Sequence, residues 1–235
     1  MDDGAFHVGL IPDGNRRWAA QAGMSRREGH EHGAETVESA LEWAYDQPDI
    51  DEFSVYGLSE ENFKRSAEEL DWLFQIYRRK LADLLQNPKV EERDVRIRIV
   101  STCPGRWPRE IRRLVAQVHE QSARRQGKRL NVLLGYTGQS ELRQAVAQPL
   151  NRLKNLTGRL TDRDIERALL VPRACDLVIR TGDEEAPREA KSGFLLWQSA
   201  YAEFQRVPKH FPDLTRADLD ACWERFRQQT RRLGT

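Results

Sequence analysis

At 235 residues the chain exceeds a minimal domain and fits one large domain with insertions, so a single core is expected over residues 1–235. Hydrophobic residues at 39% with 32% charged residues exclude both a membrane-embedded and a disordered chain. A formal charge of +1 gives no general electrostatic case for coating nucleic acid, and three widely spaced cysteines exclude a closed disulfide framework. No run approaches the ~18 apolar residues of a spanning helix, and the first residues lack the basic-then-apolar pattern of a signal peptide. A reducing, cytoplasmic setting is therefore expected.

The apolar run Phe6 to Ile11 predicts a strand, broken by Pro12 and a turn at Asp13, Gly14 and Asn15, with a helix beginning at Arg16. From Gly33, apolar residues at 34, 37, 41 and 44 keep helical spacing, and Phe53 to Tyr56 predicts the next strand. Ser66 followed by Glu69 reads as a capping box opening a helix whose apolar stripe runs from Leu70 to Leu85, stopped by Asn87 and Pro88. Val95, Ile97 and Ile99 alternate with arginines, which suits a strand near an edge. A helix over Ile111 to His119, a buried strand over Leu130 to Leu134, helices over Leu142 to Leu153 and Asp164 to Leu170, and a strand over Leu177 to Ile179 complete the reading. Strand alternating with helix predicts a mainly parallel sheet covered by helices.

Common phosphate motifs are excluded first. Gly9 and Gly14 have the spacing of a Walker loop, but Asn15 and Arg16 follow where Lys and Ser or Thr are required, and neither GxGxxG nor GxSxG occurs. The loop Pro12 to Trp18 remains, placed after a strand and at the head of a helix. Free N–H groups, a glycine permitting close backbone approach, and the fork-shaped donors of Arg16 and Arg17 suit a phosphate there. Asp13 beside such a site implies an intervening cation, and Mg²⁺ fits. The same residues would also serve as an Asx-turn and helix cap with solvated arginines. A second cluster, Ser59, Glu60, Glu61, Asn62, Phe63, Lys64 and Arg65, follows the second strand, where ligands gather in open α/β sheets; its plainer reading is a polar helix entry. Arg26 and His30 form a third polar group. Arg180 stands at a later strand's carboxyl end, and the apolar run 193–197 is flanked by Ser192 and, further on, Glu203.

Together, HVGLIPDGNRRWA from His7, RxxGH at Arg26 to His30, SEENFKR from Ser59, DLVIRTG from Asp176, SGFLLWQSAYAE from Ser192 and RRLG from Arg231 resemble the cis-prenyltransferases, the family of undecaprenyl diphosphate synthase. Aspartate-rich DDxxD helices of the trans-type synthases are absent. The resemblance implies a non-Rossmann α/β fold with a hydrophobic tunnel, a homodimer, and Mg²⁺-dependent extension of an allylic diphosphate with isopentenyl diphosphate to give Z double bonds. It implies that Asp13 holds Mg²⁺ with Glu203 as second carboxylate, and that Gly14, Asn15, Arg16, Arg17 and Trp18 cradle the diphosphate with Arg26 and His30. Ser59, Asn62 and Arg65, with the intervening Glu60, Glu61 and Phe63, would order substrate around the reacting carbons, Asn62 or the Asp13 region taking part in proton removal. Arg180 and Ser192 would grip the isopentenyl diphosphate. The stripe from Leu70 to Tyr77 gains a second reading as tunnel wall; Gly57 is a small residue where the family can block the tunnel, which favours long products, whereas Trp72, Phe74 and Tyr77 could narrow it. Product release could involve a peripheral membrane contact.

The chain departs from the family pattern at Pro12, at Gly135 to Gln139 and after Gly182, where RTGGE becomes Arg180 to Glu184 followed by a four-residue insertion. The family arginine two residues before the serine falls on Ala190, so Arg188 or Lys191 is expected to replace it. That leaves room for a short-chain or irregular synthase, and a non-catalytic partner subunit is the reading from another class. Nucleic-acid binding through Arg225, Arg227, Arg231 and Arg232 is disfavoured by the overall charge.

Overall fold

Strand β1 (Phe6–Ile11) lies near the centre of six parallel strands: β2 (Ile50–Ser59), β3 (Arg96–Val100), β4 (Arg129–Tyr136), β5 (Leu177–Thr181) and β6 (Glu203–Val207), in the order β3-β4-β2-β1-β5-β6. The structure, a computed structural model, describes residues 5–153, 161–182 and 191–229. The helices are α1 (Asn15–Gln21), α2 (Arg26–Asp46), α3 (Ala67–Gln86), α4 (Pro88–Glu92), α5 (Arg109–Ser122), α6 (Gly138–Leu153), α7 (Asp162–Ala168) and α8 (Arg216–Gln228).

Alternation along the strands sorts the core into two layers. Val8 and Leu10, Phe53 and Val55, Ile97 and Ile99, and Leu177 and Ile179 pack with α2, α3, α5 and α8. On the other face Ile11, Tyr56, Leu133 and Val178 meet Phe194 and Leu195. Phe194 lies so close across β1 that a Cβ on Gly9 would stand 2.5 Å from its ring.

The second face is less apolar than a buried parallel sheet usually is. His7 Nε2 lies 2.7 Å from Ser54 Oγ, and Asn131 donates to Ser54 Oγ at 2.9 Å and to Glu52 at 2.7 Å, all four residues being buried. These bonds offset most of the cost of burying polar groups, although Asn131 Oδ1 is buried without a hydrogen-bond partner.

The expected elements all form, with four differences. Helix α2 begins at Arg26, seven residues before the apolar period starts, because Ser25 and Glu28 make a full capping box. Pro88 starts the short α4 instead of merely ending α3, since proline suits a first helical turn. Edge strand β6 lies in a segment where no strand was expected. At Ser66 only half of the expected box exists: Ser66 accepts from Glu69 N at 3.1 Å, but the Glu69 carboxylate goes elsewhere.

Candidate active site

Strands β1, β2 and β5 end together, and the loops leaving them build one site. Asp13 is pinned by its backbone: its N–H donates to Thr181 Oγ1 at 2.8 Å, the Thr181 hydroxyl returns a bond to Asp13 O at 2.9 Å, and Phe211 N donates to the same carbonyl at 3.0 Å. Gly14 caps α1 at φ 106°, where a Cβ would stand 2.6 Å from the His210 ring. Ahead of the first helical bond, from Trp18 N to Gly14 O, lie the N–H groups of Asn15, Arg16 and Arg17. Asn15 Oδ1 is buried with no hydrogen-bond partner. Helix α2 crosses against Asn15 because Gly29 and Gly33 lack a Cβ, which would come within 2.4 Å and 2.5 Å of Asn15 oxygens.

Cations and carboxylates interleave here. Asp13 accepts from Arg17 at 3.0 Å and from Arg180 at 2.7 Å, and Arg180 also donates to Ser192 Oγ at 2.9 Å. Ser192 is held at φ 49°, a strained setting for a residue with a Cβ, of the kind found at functional sites. Arg65 donates to Glu69 at 2.7 Å and lies 3.4 Å from His30 Nε2. Burial, with Arg65 and Arg16 adding repulsion, pushes the His30 pKa down to about 4, so the ring is neutral near pH 7 and leaves the arginines as the site's cations.

Behind these groups opens a cavity of about 400 Å³ between α2, α3 and the sheet. Its head is polar, with Asp13, Asn15, Arg16, His30, Ser59, Glu61, Asn62, Arg65, Arg180 and Ser192; its body is apolar, with residues such as Val37, Leu41, Ile76, Leu84, Val132 and Leu134. Pairing between β2 and β4 slips at Gly57, which is exposed to the cavity, and Tyr77 Oη caps the Gly57 carbonyl at 2.8 Å. Beyond that bulge Ser59 N donates to Asn62 Oδ1 at 3.1 Å, fixing the amide over the cavity head.

Several expected residues stand elsewhere. Trp18 donates to Asp213 at 2.8 Å and braces α1 instead of lining the cradle. Arg26 is largely exposed at the start of α2, 3.8 Å from Glu69, and is absent from the cavity wall. Glu60 turns away to Thr102 and, at 3.1 Å, to Ser140; Phe63 is buried beneath the Arg106 guanidinium, 4.2 Å from the ring centroid. The Lys191 ammonium bonds the Ser199 carbonyl rather than facing Arg180. Arg188, Ala190 and the closing RRLG lie outside the described residues.

Glu203 does not join Asp13 within one chain. It opens β6 level with Leu177 and hence with Val8, whereas Asp13 lies five residues beyond Val8, roughly 15 Å along the strand direction. Within one chain the two carboxylates cannot share an ion. Among the described residues no cluster of three or more metal-ligating side chains exists. A single carboxylate still suits Mg²⁺, which takes one or two carboxylates together with substrate phosphate oxygens, and Asp13 stands where a bound diphosphate would complete the set.

Thr181, Glu69 and Gly33 do structural work at the site that sequence reading did not assign. Glu69 had a signal, its position three after Ser66, but that signal suggested a cap, while burial beside Arg65 decides its partner.

A parallel α/β sheet whose strand ends form an anion cradle leading into an apolar cavity defines a binder of amphiphiles with a phosphate head and an apolar tail. The Prenyltransf family model, undecaprenyl diphosphate synthase, matches residues 11–234. The chain is 34% identical to a tritrans,polycis-undecaprenyl-diphosphate synthase (geranylgeranyl-diphosphate specific) of Methanopyrus kandleri, over 97% of this chain and 84% of that one. It is 33% identical to an isoprenyl transferase of Thermus thermophilus, over 97% and 88%. Lavandulyl diphosphate synthase from Lavandula x intermedia, solved with dimethylallyl diphosphate, superposes with a TM-score of 0.89 at 26% identity, covering 97% and 98%. The chain belongs to the undecaprenyl diphosphate synthase family, the cis-prenyltransferases, and is a prenyl-transferring enzyme.

Proposed function

We propose that the protein condenses isopentenyl diphosphate with an allylic diphosphate, in the presence of Mg²⁺, to form a Z-configured prenyl diphosphate and release diphosphate. The observation that carries this reading is the direct opening of the Asp13–Arg16–Arg65–Arg180 head into the apolar cavity. One end suits diphosphate and the other suits a hydrocarbon chain.

The allylic diphosphate lies against the N–H groups at the start of α1 with Arg16 and Arg17 over its oxygens. Arg180 and Ser192, already joined at 2.9 Å, grip the isopentenyl diphosphate. Two anchored heads convert a bimolecular encounter into a positioned one. The allylic C1–O bond breaks with its electron pair leaving on diphosphate, C1 bonds the terminal alkene carbon of isopentenyl diphosphate, and a proton departs from the adjacent carbon to an Asp13 carboxylate oxygen, with Asn62 orienting the reacting carbons. Arginines preorganised around the leaving group stabilise the developing charge. Asp13 would hold Mg²⁺ beside the leaving group, where the ion would supply further neutralisation of that charge.

A homodimer is part of the reading, supported by Tyr201, a wholly exposed aromatic just ahead of edge strand β6. No helix among the described residues is long and apolar enough to cross a membrane, so any membrane contact during product release would be peripheral. Of the four arginines that would serve nucleic-acid binding, Arg225 bonds Gln205 at 3.1 Å and Arg227 lies 3.5 Å from Asp49, while Arg231 and Arg232 lie outside the described residues.

A short-chain or irregular coupling is the second reading. The likeness to lavandulyl diphosphate synthase favours it, as does the commitment of the Lys191 ammonium to the Ser199 carbonyl. The test is labelled isopentenyl diphosphate offered with C5, C10, C15 and C20 allylic diphosphates, with and without Mg²⁺, and products resolved by length and geometry. Mg²⁺-dependent extension that vanishes in Asp13→Ala is the expected result. A single C10 product from two C5 substrates selects the second reading, and no coupling by folded protein refutes both.

A further inference from the structure

Where α2 and α3 flank the cavity, their outer seam is closed by ion pairs. Glu31 lies 3.9 Å from Arg79, Glu38 lies 2.7 Å from Lys80, and Glu42 lies 3.0 Å from Lys89 of α4. Acidic groups stand on α2 and basic groups on the facing helices. Of these side chains only Glu38 and Lys80 line the cavity itself. The other charged lining residues, Asp13, Arg16, Glu61, Arg65 and Arg180, belong to the polar head.

Glu38 lies eight residues along α2 from His30, about 12 Å deeper at the helical rise. Lys80 lies between Tyr77 and Leu84, two further lining residues of α3. The pair thus sits beside the apolar body, well past the site of chemistry. Its side chains are 55% and 25% exposed, so it forms the boundary between cavity and solvent.

We propose that the Glu38–Lys80 pair is a specificity-determining element that limits the length of hydrocarbon the cavity accepts. This inference rests on the reading of the cavity as the site of the prenyl chain. Two physical effects act together. The bonded pair spans the gap between α2 and α3 at the solvent boundary of the apolar body, so a chain that outgrew the cavity between these helices would meet it. An apolar chain passing the pair would also strip water from two charges, which disfavours it. Up to that point each buried methylene raises affinity about fourfold; past it the gain stops.

A pair this exposed contributes little to folding, so Glu38→Ala and Lys80→Ala fold. Saturated alkyl diphosphates from C5 to C20 are titrated calorimetrically into the protein and both variants, in parallel with product-length analysis. In the wild type, affinity rises with length and then levels. Each alanine variant moves the levelling point to longer chains and lengthens the product by at least one C5 unit. The exchange Glu38→Lys with Lys80→Glu restores the wild-type limit, which simple widening by smaller side chains would not do. An unchanged levelling point in both single variants, with tight binding retained, overturns the inference and leaves the proposed function standing. Failure of every alkyl diphosphate to bind, or affinity indifferent to chain length throughout, overturns both.

Discussion

Gly14→Ala tests whether the phosphate loop is built on a backbone that only glycine supports. The residue sits at φ 106° and ψ −2°, and an added Cβ would stand 2.6 Å from His210 Nδ1 and 3.0 Å from His210 Cα. The dihedral alone costs about 1–3 kcal/mol for a residue with a Cβ. Relieving the contact requires backbone movement, because one of the two clashing atoms is a Cα, and overpacking of this kind costs a further ~1–3 kcal/mol. The segment that must move carries Phe211 N, which holds the Asp13 carbonyl at 3.0 Å, so the strain passes directly to Asp13. A total of about 3 kcal/mol lowers the melting temperature by roughly 10 °C in a protein of this size. Two glycines provide internal controls. Gly23 also has a positive φ, 68°, but open space around its Cβ position, so Gly23→Ala isolates the dihedral cost at about 1 kcal/mol after the gain from a stiffer unfolded chain. Gly105 has open space and no left-handed φ, so Gly105→Ala is neutral or stabilising by about 0.5 kcal/mol. Differential scanning calorimetry orders the three, and titration with inorganic diphosphate shows whether the cradle survives. If Gly14→Ala melts within a degree or two of wild type and binds diphosphate equally, the account of the loop is wrong.

Lys191→Met is expected to leave the Michaelis constant for isopentenyl diphosphate within about twofold, because the ammonium is committed to the Ser199 carbonyl, while costing about 1 kcal/mol of stability; a tenfold rise in that constant would refute this placement. Stability should fall as pH drops from 6.5 towards 4. His30, held near 4 by burial and by Arg65 and Arg16, stays neutral when folded but takes a proton when unfolded, and buried His7 shifts in the same direction. The gap at His30 corresponds to about 3 kcal/mol, so denaturant midpoints across this range should fall less steeply in His30→Gln, and an identical profile in that variant would sink the assignment. Gly57→Leu puts a side chain into the cavity from the β2 bulge, where even a Cβ comes within 2.7 Å of Leu134, and should shorten the product or stop extension; product chromatography showing wild-type length would contradict the cavity's role. Thr102→Val removes a hydroxyl bonded to Glu60 and frees the turn that presents Asn62; kcat should fall several-fold with little change in KM, and the reverse pattern would count against a positioning role.

The sequence by itself determined the alternation of strand and helix, the parallel sheet, and the family, because period and punctuation are local signals and the motifs are short and ordered. It also singled out residues that the fold brings together, Asp13, Asn15, Arg16, His30, Asn62, Arg65, Arg180 and Ser192 around the cavity head and Gly14 beside them. Tertiary structure decided how motif residues divide between the cavity and its supports. Trp18, Glu60 and Phe63 belong to the same short motifs as their neighbours, yet a side chain's direction depends on which partners the fold brings to it, here Asp213, Thr102 with Ser140, and Arg106. Edge strand β6 was not legible because its pairing with β5 lies outside its own segment. Strand register likewise set Glu203 at the opposite end of the sheet from Asp13, a separation that motif order along the chain cannot reveal. The seam of ion pairs between α2 and the facing helices joins residues more than forty positions apart in sequence, and only the packing of those helices around a cavity brings them together.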